Sequence, residues 1–244
     1  MREISEVTET LFTTEGTLSK CDWQLAITAD MVLQRQGATP RKIRERQPRL
    51  AAVAEMAIEH GTPWIRPQVA YRILKIQEVE SPRVILKDAA ELIGAGIARK
   101  LARAEFAIAV LATIGAEVEE MALRATKEDA VFALALDGYG TAVIGALTVA
   151  IRAFFAECAA GAQLTTTSPI YPGTNDWELA AGQTQLFSIV DASPIGVRLS
   201  SSFLMQPCKS VSLVIGAGAK MSAGGQPCEE CGASASCRHR LAEP

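Results

Sequence analysis

Histidine is nearly absent from this chain: His60 and His239 are the two in 244 residues. A Ser/His/Asp or Cys/His triad needs an imidazole beside its nucleophile. One histidine closes a helical pattern and the other sits in a terminal tail, so hydrolase chemistry is set aside. No long Lys/Arg block occurs and the formal net charge is -3, which leaves nucleic acid without an electrostatic footprint. A Walker A sequence is missing. Gly94-Ala95-Gly96 and Gly216-Ala217-Gly218 both lack the strand, G-x-G-x-x-G and helix order of a dinucleotide fingerprint. Between Asp137 and Arg152 the uncharged run Gly138 to Ile151 is only 14 residues long, short of the roughly 20 a membrane span needs. Intrinsic disorder is excluded by 49% hydrophobic and 21% charged residues. Met1-Arg2-Glu3-Ile4-Ser5-Glu6 carries charge where a signal peptide needs an apolar run, so the cytoplasm is the expected compartment.

What is present is a patterned globular chain. From Cys21 to about His60 the apolar spacing is helical, broken at Gly37-Ala38-Thr39-Pro40. The second helix begins basic (Arg41, Lys42, Arg44, Arg46, Arg49), which reads as a solvated face, and ends at His60-Gly61. Val69, Tyr71, Ile73, Leu74 and Ile76, then Val84-Ile85-Leu86, read as strands. Asp88-Ala89-Ala90-Glu91 predicts a capped helix running to about Leu101. Phe106 to Ala112 is continuously apolar and predicts a central strand buried on both faces. Thr126-Lys127-Glu128-Asp129 opens a long helix that stops near Gly161. Gly138, Gly140, Ala142, Gly145 and Ala146 thin its surface, so another element must pack closely there.

A polar loop from Thr165 to Asn175 and a helix from about Asp176 to Val190 follow. Then come two alternating runs, Val197 to Met205 and Val211 to Ile215. The whole predicts an α+β fold with an antiparallel or mixed sheet, divided as an N-terminal helical region 1–78, an α+β domain 79–215 and a Cys-rich tail 216–244.

The six cysteines are unevenly placed. Cys21 and Cys158 lie alone on helical patterns and read as core residues. Cys228-x-x-Cys231-x5-Cys237 crowds three thiols into ten residues, which in a reducing compartment predicts a metal site rather than a disulfide framework. Four donors hold structural zinc and common iron–sulfur clusters. Cys208 is the first candidate for the fourth ligand and His239 the second. Lys209 follows Cys208, and a cation there is expected to favour the thiolate. By ligand type, iron–sulfur and zinc are equally suited.

Four motifs in order carry a family resemblance: Ala112-Thr113-Ile114-Gly115; Leu136-Asp137-Gly138-Tyr139-Gly140-Thr141-Ala142; Ser168-Pro169-Ile170-Tyr171-Pro172-Gly173 with Asp176-Trp177; and the block Gly196 to Ser212. Over roughly Arg83 to Ile215 the chain resembles the activation domain of cobalamin-dependent methionine synthase, closest to stand-alone members that end in a cysteine tail. The resemblance implies an α+β unit with a twisted antiparallel sheet that caps the corrinoid (vitamin B12) of a partner protein during its reductive activation, with S-adenosylmethionine bound. Tyr171 and Pro172 match the tyrosine and proline of the family's R-x-x-x-G-Y-P loop and are the implied corrinoid- or cofactor-facing residues. Thr166 and Ile170 replace the loop's arginine and glycine, and Gly145 replaces an acid on the long helix. Two charge-assisted contacts are thereby lost, each worth about 1.5 to 3 kcal/mol, so loss of S-adenosylmethionine binding is expected. The function implied is an accessory protein that docks on a corrinoid protein and passes an electron to cobalt through a [4Fe–4S] cluster on Cys208, Cys228, Cys231 and Cys237. The alternative is a non-redox corrinoid- or partner-binding module with structural zinc.

Overall fold

A computed structural model describes residues 12–174 and 177–219. The sheet runs β1 (Leu18–Lys20), β2 (Gln68–Glu80), β3 (Arg83–Leu86), β4 (Glu91–Ile93), β5 (Phe106–Thr113), β6 (Thr165–Thr166) and β9 (Ser210–Gly218), in the order β4-β3-β2-β5-β9-β6 with β1 beside β2. Every pairing is antiparallel. The helices are α1 (Ala29–Arg35), α2 (Pro40–Arg46), α3 (Pro48–Gly61), α4 (Ala95–Leu101), α5 (Glu117–Ala125), α6 (Ala130–Gly161) and α7 (Leu179–Ile189). This is an α+β fold.

Strand β5 explains the layering. Its side chains alternate across the sheet: Ile108, Val110 and Ala112 enter one apolar cluster and Ala107, Ala109 and Leu111 the other. The first cluster is closed by α1, α3 and α6 and the second by α4, α7 and the β3–β4 hairpin. Ala29, Val32 and Leu33 of α1 and Ala51, Ala54 and Ala57 of α3 lie in the same cluster as Val110, so residues 29–61 share a core with the sheet. α6 is 32 residues long and apolar enough to cross a membrane, but its Leu136, Val143, Leu147, Ile151 and Phe155 are fully buried against the sheet and the helices around it. Its start is shifted within the expected run: Thr126 closes α5, and Asp129 is the cap, its Oδ1 accepting from the backbone N–H of Val131 and Phe132 at 3.0 and 2.9 Å.

Several sequence expectations are revised. Residues 21–28 are not helical; α1 starts at Ala29, with Thr28 Oγ1 accepting from the Met31 N–H. Trp23 and Leu25 of the expected helical face still pack against the core, as does Ile27, so that pattern reported burial rather than a helix. Cys21 is exposed, and Cys158 alone of the two is buried. The basic helix is interrupted at Gln47 before Pro48, since the residue ahead of a proline is driven out of the helical region. Asp88 is no cap. It stands at φ 64°, Glu91–Ile93 pairs with β3 as a strand, and Gly94 precedes the helix. Val197 to Met205 is not one strand but a small hairpin, β7 (Arg198–Leu199) and β8 (Met205–Gln206), folded where the Ser200 N–H meets the Leu204 carbonyl at 2.9 Å. The hydrophobic pattern weakens at Gly216, yet β9 continues to Gly218 because glycine admits Leu101 and Ala104: a Cβ on Gly216 would lie 2.6 Å from Leu101 Cδ2 and 3.1 Å from Ala104 Cβ.

Gly216→Val should therefore overpack the α4 side of the sheet. We expect urea unfolding to show a loss of about 1–3 kcal/mol; an unchanged midpoint would mean that the α4–β9 contact yields freely.

Candidate functional site

The long helix presents a face of small residues, and three long polar side chains cross it. A Cβ on Gly138 would lie 2.9 Å from Gln36 Cγ, on Gly140 3.3 Å from Lys209 Cε, and on Gly145 2.7 Å from an Arg35 guanidinium nitrogen. Gln36 also donates from Nε2 to the Leu134 carbonyl at 3.0 Å. Inward, Tyr139 is buried, shares a hydrogen bond with Thr62 Oγ1 at 3.1 Å and packs on Gly61. Outward, Asp137 and Thr141 hold the Lys209 ammonium at 2.7 and 3.0 Å. The close packing predicted from the glycines is present, but the occupants Arg35, Gln36 and Lys209 carry no sequence signal that would have named them.

Lys209 is held away from its neighbour. Cys208 instead lies against Glu119 of α5, which accepts the Cys208 backbone N–H at 2.9 Å and is hydrogen-bonded to the thiol. That hydrogen bond is the largest cause of a raised thiol pKa; partial burial and the Glu119 charge add to it, and Lys209 opposes them. Lys209 does favour the thiolate, as expected, but it is outweighed: the Glu119 carboxylate touches the thiol while the ammonium is turned to Asp137. Beside this pair runs a groove of about 490 Å³, lined by Glu119, Glu120 and Leu123 of α5 and its capping residue Ala116 on one side and Arg198, Gln206 and Pro207 on the other. At the hairpin tip Leu204 is 60% exposed, and Leu123 on the groove wall 73%.

The Tyr171 loop is fixed at a different place. Ile170 bridges to Val214 with both backbone hydrogen bonds, at 2.8 and 2.9 Å. The Tyr171 carbonyl accepts from Thr174 Oγ1 at 2.7 Å, and its side chain packs on the first apolar cluster. Pro172 is buried against Gly182 of α7, where a Cβ would lie 2.9 Å from the ring and 2.8 Å from Trp177. Cys208 precedes Val214 by six residues, about 20 Å along a strand. The residues Tyr171 and Pro172 are together; Cys208 is not with them. Thr166 is taken up in β6, opposite Ala217.

Cys228, Cys231, Cys237 and His239 lie outside the described residues. Among the described residues, no group of three or more His, Cys, Asp or Glu side chains is arranged to hold a metal ion.

The thiol's reactivity can be read directly. A group held protonated by an adjacent carboxylate ionises late, and alkylation follows the thiolate. Peptide-resolved iodoacetamide labelling should show Cys208 reacting with a pH midpoint above that of an ordinary cysteine, and Glu119→Gln should move it down. A midpoint unmoved by Glu119→Gln would show that the carboxylate does not control the thiol.

No protein-family model matches the chain, and no curated protein matches it. Among solved structures, the chain resembles the crystal structure of the MetH reactivation domain bound to AdoHcy. The TM-score is 0.58 at 11% sequence identity, over 85% of this chain and 80% of that one. The two share a fold.

Proposed function

We propose that this protein docks on a corrinoid protein or corrinoid-dependent methyltransferase and assists its reductive activation. The observation that carries the reading is the fold match to the MetH reactivation domain across 85% of the chain, joined to the order of the four motifs along the sequence. Tyr171 is the residue proposed to face the corrin, with Pro172, buried against Gly182, and the Ile170–Val214 bridge holding its loop in place.

The neighbour's AdoHcy does not carry over to this chain. In the family pattern an acid at Gly145 would hold a ligand ammonium, and here a guanidinium lies against that glycine. A like charge in that place repels an ammonium, which adds to the loss of the loop arginine at Thr166. Calorimetry on the isolated protein should detect no micromolar S-adenosylmethionine binding; micromolar affinity would overturn this reading of Thr166 and Gly145.

For the electron, we propose a metal centre on Cys208, Cys228, Cys231 and Cys237. The donor set suits a [4Fe–4S] cluster, whose potentials of about -700 to +450 mV include those low enough for Co(II) reduction. The chemistry it would supply is one-electron transfer to oxidised cobalt. Reach supports the set: β9 spans about 30 Å, and Cys228 stands ten residues beyond Gly218, which an extended chain carries about 33–36 Å. Metal binding would displace the Glu119 hydrogen bond from the thiol.

Two experiments test this. After anaerobic purification, iron with acid-labile sulfide supports the electron-transfer reading, and stoichiometric zinc without iron replaces it with the structural-zinc module. Cys208→Ser should remove bound metal as fully as Cys231→Ser, with Cys21→Ser and Cys158→Ser without effect; full retention in Cys208→Ser excludes the four-thiolate set. Docking itself is tested by co-sedimentation with a corrinoid protein and by recovery of its Co(I) spectrum under a one-electron reductant. Absence of both sinks the proposal.

A further inference from the structure

Strand β2 is paired along one edge with β5 from Gln68 to Lys75. Along its other edge β1 pairs with Val69–Tyr71 and β3 with residues from Ile76 to Glu80. Arg72 to Lys75 therefore have no strand partner on that side among the described residues. The segment Phe12–Thr17 forms a strap along this stretch without being a strand of the sheet, and Phe12–Gly16 and Arg72–Lys75 line a common cavity. Its ends are fastened: the Phe12 ring meets Phe106 edge-on with centroids 5.2 Å apart, and Thr17 Oγ1 accepts the Asp191 N–H at 3.0 Å. Between them Gly16 turns at φ 86°, a left-handed conformation that glycine adopts without cost. Beneath the strap a cavity of about 280 Å³ remains.

Charges of both signs converge on that space. Arg72, with 23% of its side chain exposed, donates to Asp88 Oδ2 at 2.7 Å at the inner wall, and Lys87 pairs with Glu15 at the rim. Asp88 and Ala89 are consecutive non-glycine residues at positive φ, 64° and 56°. Non-glycine backbone held in that region is strained, and such strain gathers at ligand clamps. Here it places the Asp88 carboxylate on Arg72.

We infer that the cavity under the strap binds a small zwitterion, a free α-amino acid with an apolar side chain. The volume lies just below the roughly 300–1,000 Å³ of drug-sized ligand sites, so only a ligand of a few heavy atoms fits, not a nucleotide or corrinoid. A plain anion would meet Glu15 and Asp88, and a plain cation would meet Arg72 and Lys87. A ligand carrying both charges a few bonds apart matches the alternation: its carboxylate meets the inner Arg72, its ammonium meets Glu15 at the rim, and its side chain lies against Phe12 and Phe106. The site uses none of Tyr171, Pro172 or Cys208 and stands independently of the corrinoid reading.

Calorimetry on the full chain with L-leucine as probe tests this, with leucinamide (no carboxylate) and 4-methylpentanoate (no ammonium) as controls. Saturable binding of leucine in the millimolar range or tighter, several-fold weaker for both controls and in Glu15→Gln, is expected. Arg72 also bonds the Ile189 carbonyl at 3.5 Å, so Arg72→Gln risks the fold; Glu15, with 76% of its side chain exposed, keeps the test independent of folding. No saturable heat with leucine, equal binding of 4-methylpentanoate, or undiminished binding in Glu15→Gln would each overturn the site.

Discussion

A strand with no polar side chain from Phe106 to Ala112 must be covered twice, and that demand organises the molecule. Covering one face of β5 recruits α1, α3 and α6; covering the other recruits α4, α7 and the β3–β4 hairpin. The apolar area removed from water in two clusters meeting at one strand is the chief source of stability, at about 25 cal/mol per Å² buried. It also fixes where the loops emerge. The Tyr171 loop is fastened to the middle of β9 at Val214 and Cys208 lies just before that strand, so the spacing of the two candidate regions follows from the register of β9.

Helix α6 transmits the same constraint to the surface. Its inner residues are fixed by the sheet, and its glycines let neighbours come within a side chain's thickness. The neighbours it admits are long and polar. Gln36 and Lys209 lay their methylenes on the helix and keep their polar heads on Asp137, Thr141 and the Leu134 carbonyl, the behaviour expected of amphipathic side chains on apolar ground, while Arg35 sets its guanidinium against Gly145. Turning Lys209 toward Asp137 leaves Cys208 to Glu119. A two-residue contact in sequence is thus electrically weaker at the thiol than one 89 residues away.

The MetH reactivation domain shares this chain's fold at 11% sequence identity. Burial constrains volume and polarity, which many residues satisfy. A charge-assisted contact to a ligand constrains one functional group, so a shared fold does not by itself carry a shared ligand.

Where burial and local backbone chemistry act on neighbouring residues, the sequence alone was decisive. The two-faced β5, the Asp129 cap, the length of α6 and the need for a close partner on its glycines follow from residue type and period. So does the crowding of Cys228, Cys231 and Cys237, which is a fact of sequence. Other features depended on contacts distant in the chain. The helix expected from Asp88 gave way to β4 because pairing with β3 outweighs a local cap, and the spacing of Trp23, Leu25 and Ile27 belongs to a loop lying on the core. β9 outruns its apolar pattern because Leu101 and Ala104 need Gly216 open. The state of the Cys208 thiol, the guanidinium at Gly145 and the charged cavity under Phe12–Thr17 were decided by tertiary structure, since electrostatic contacts depend on distance in space and residue order does not encode it.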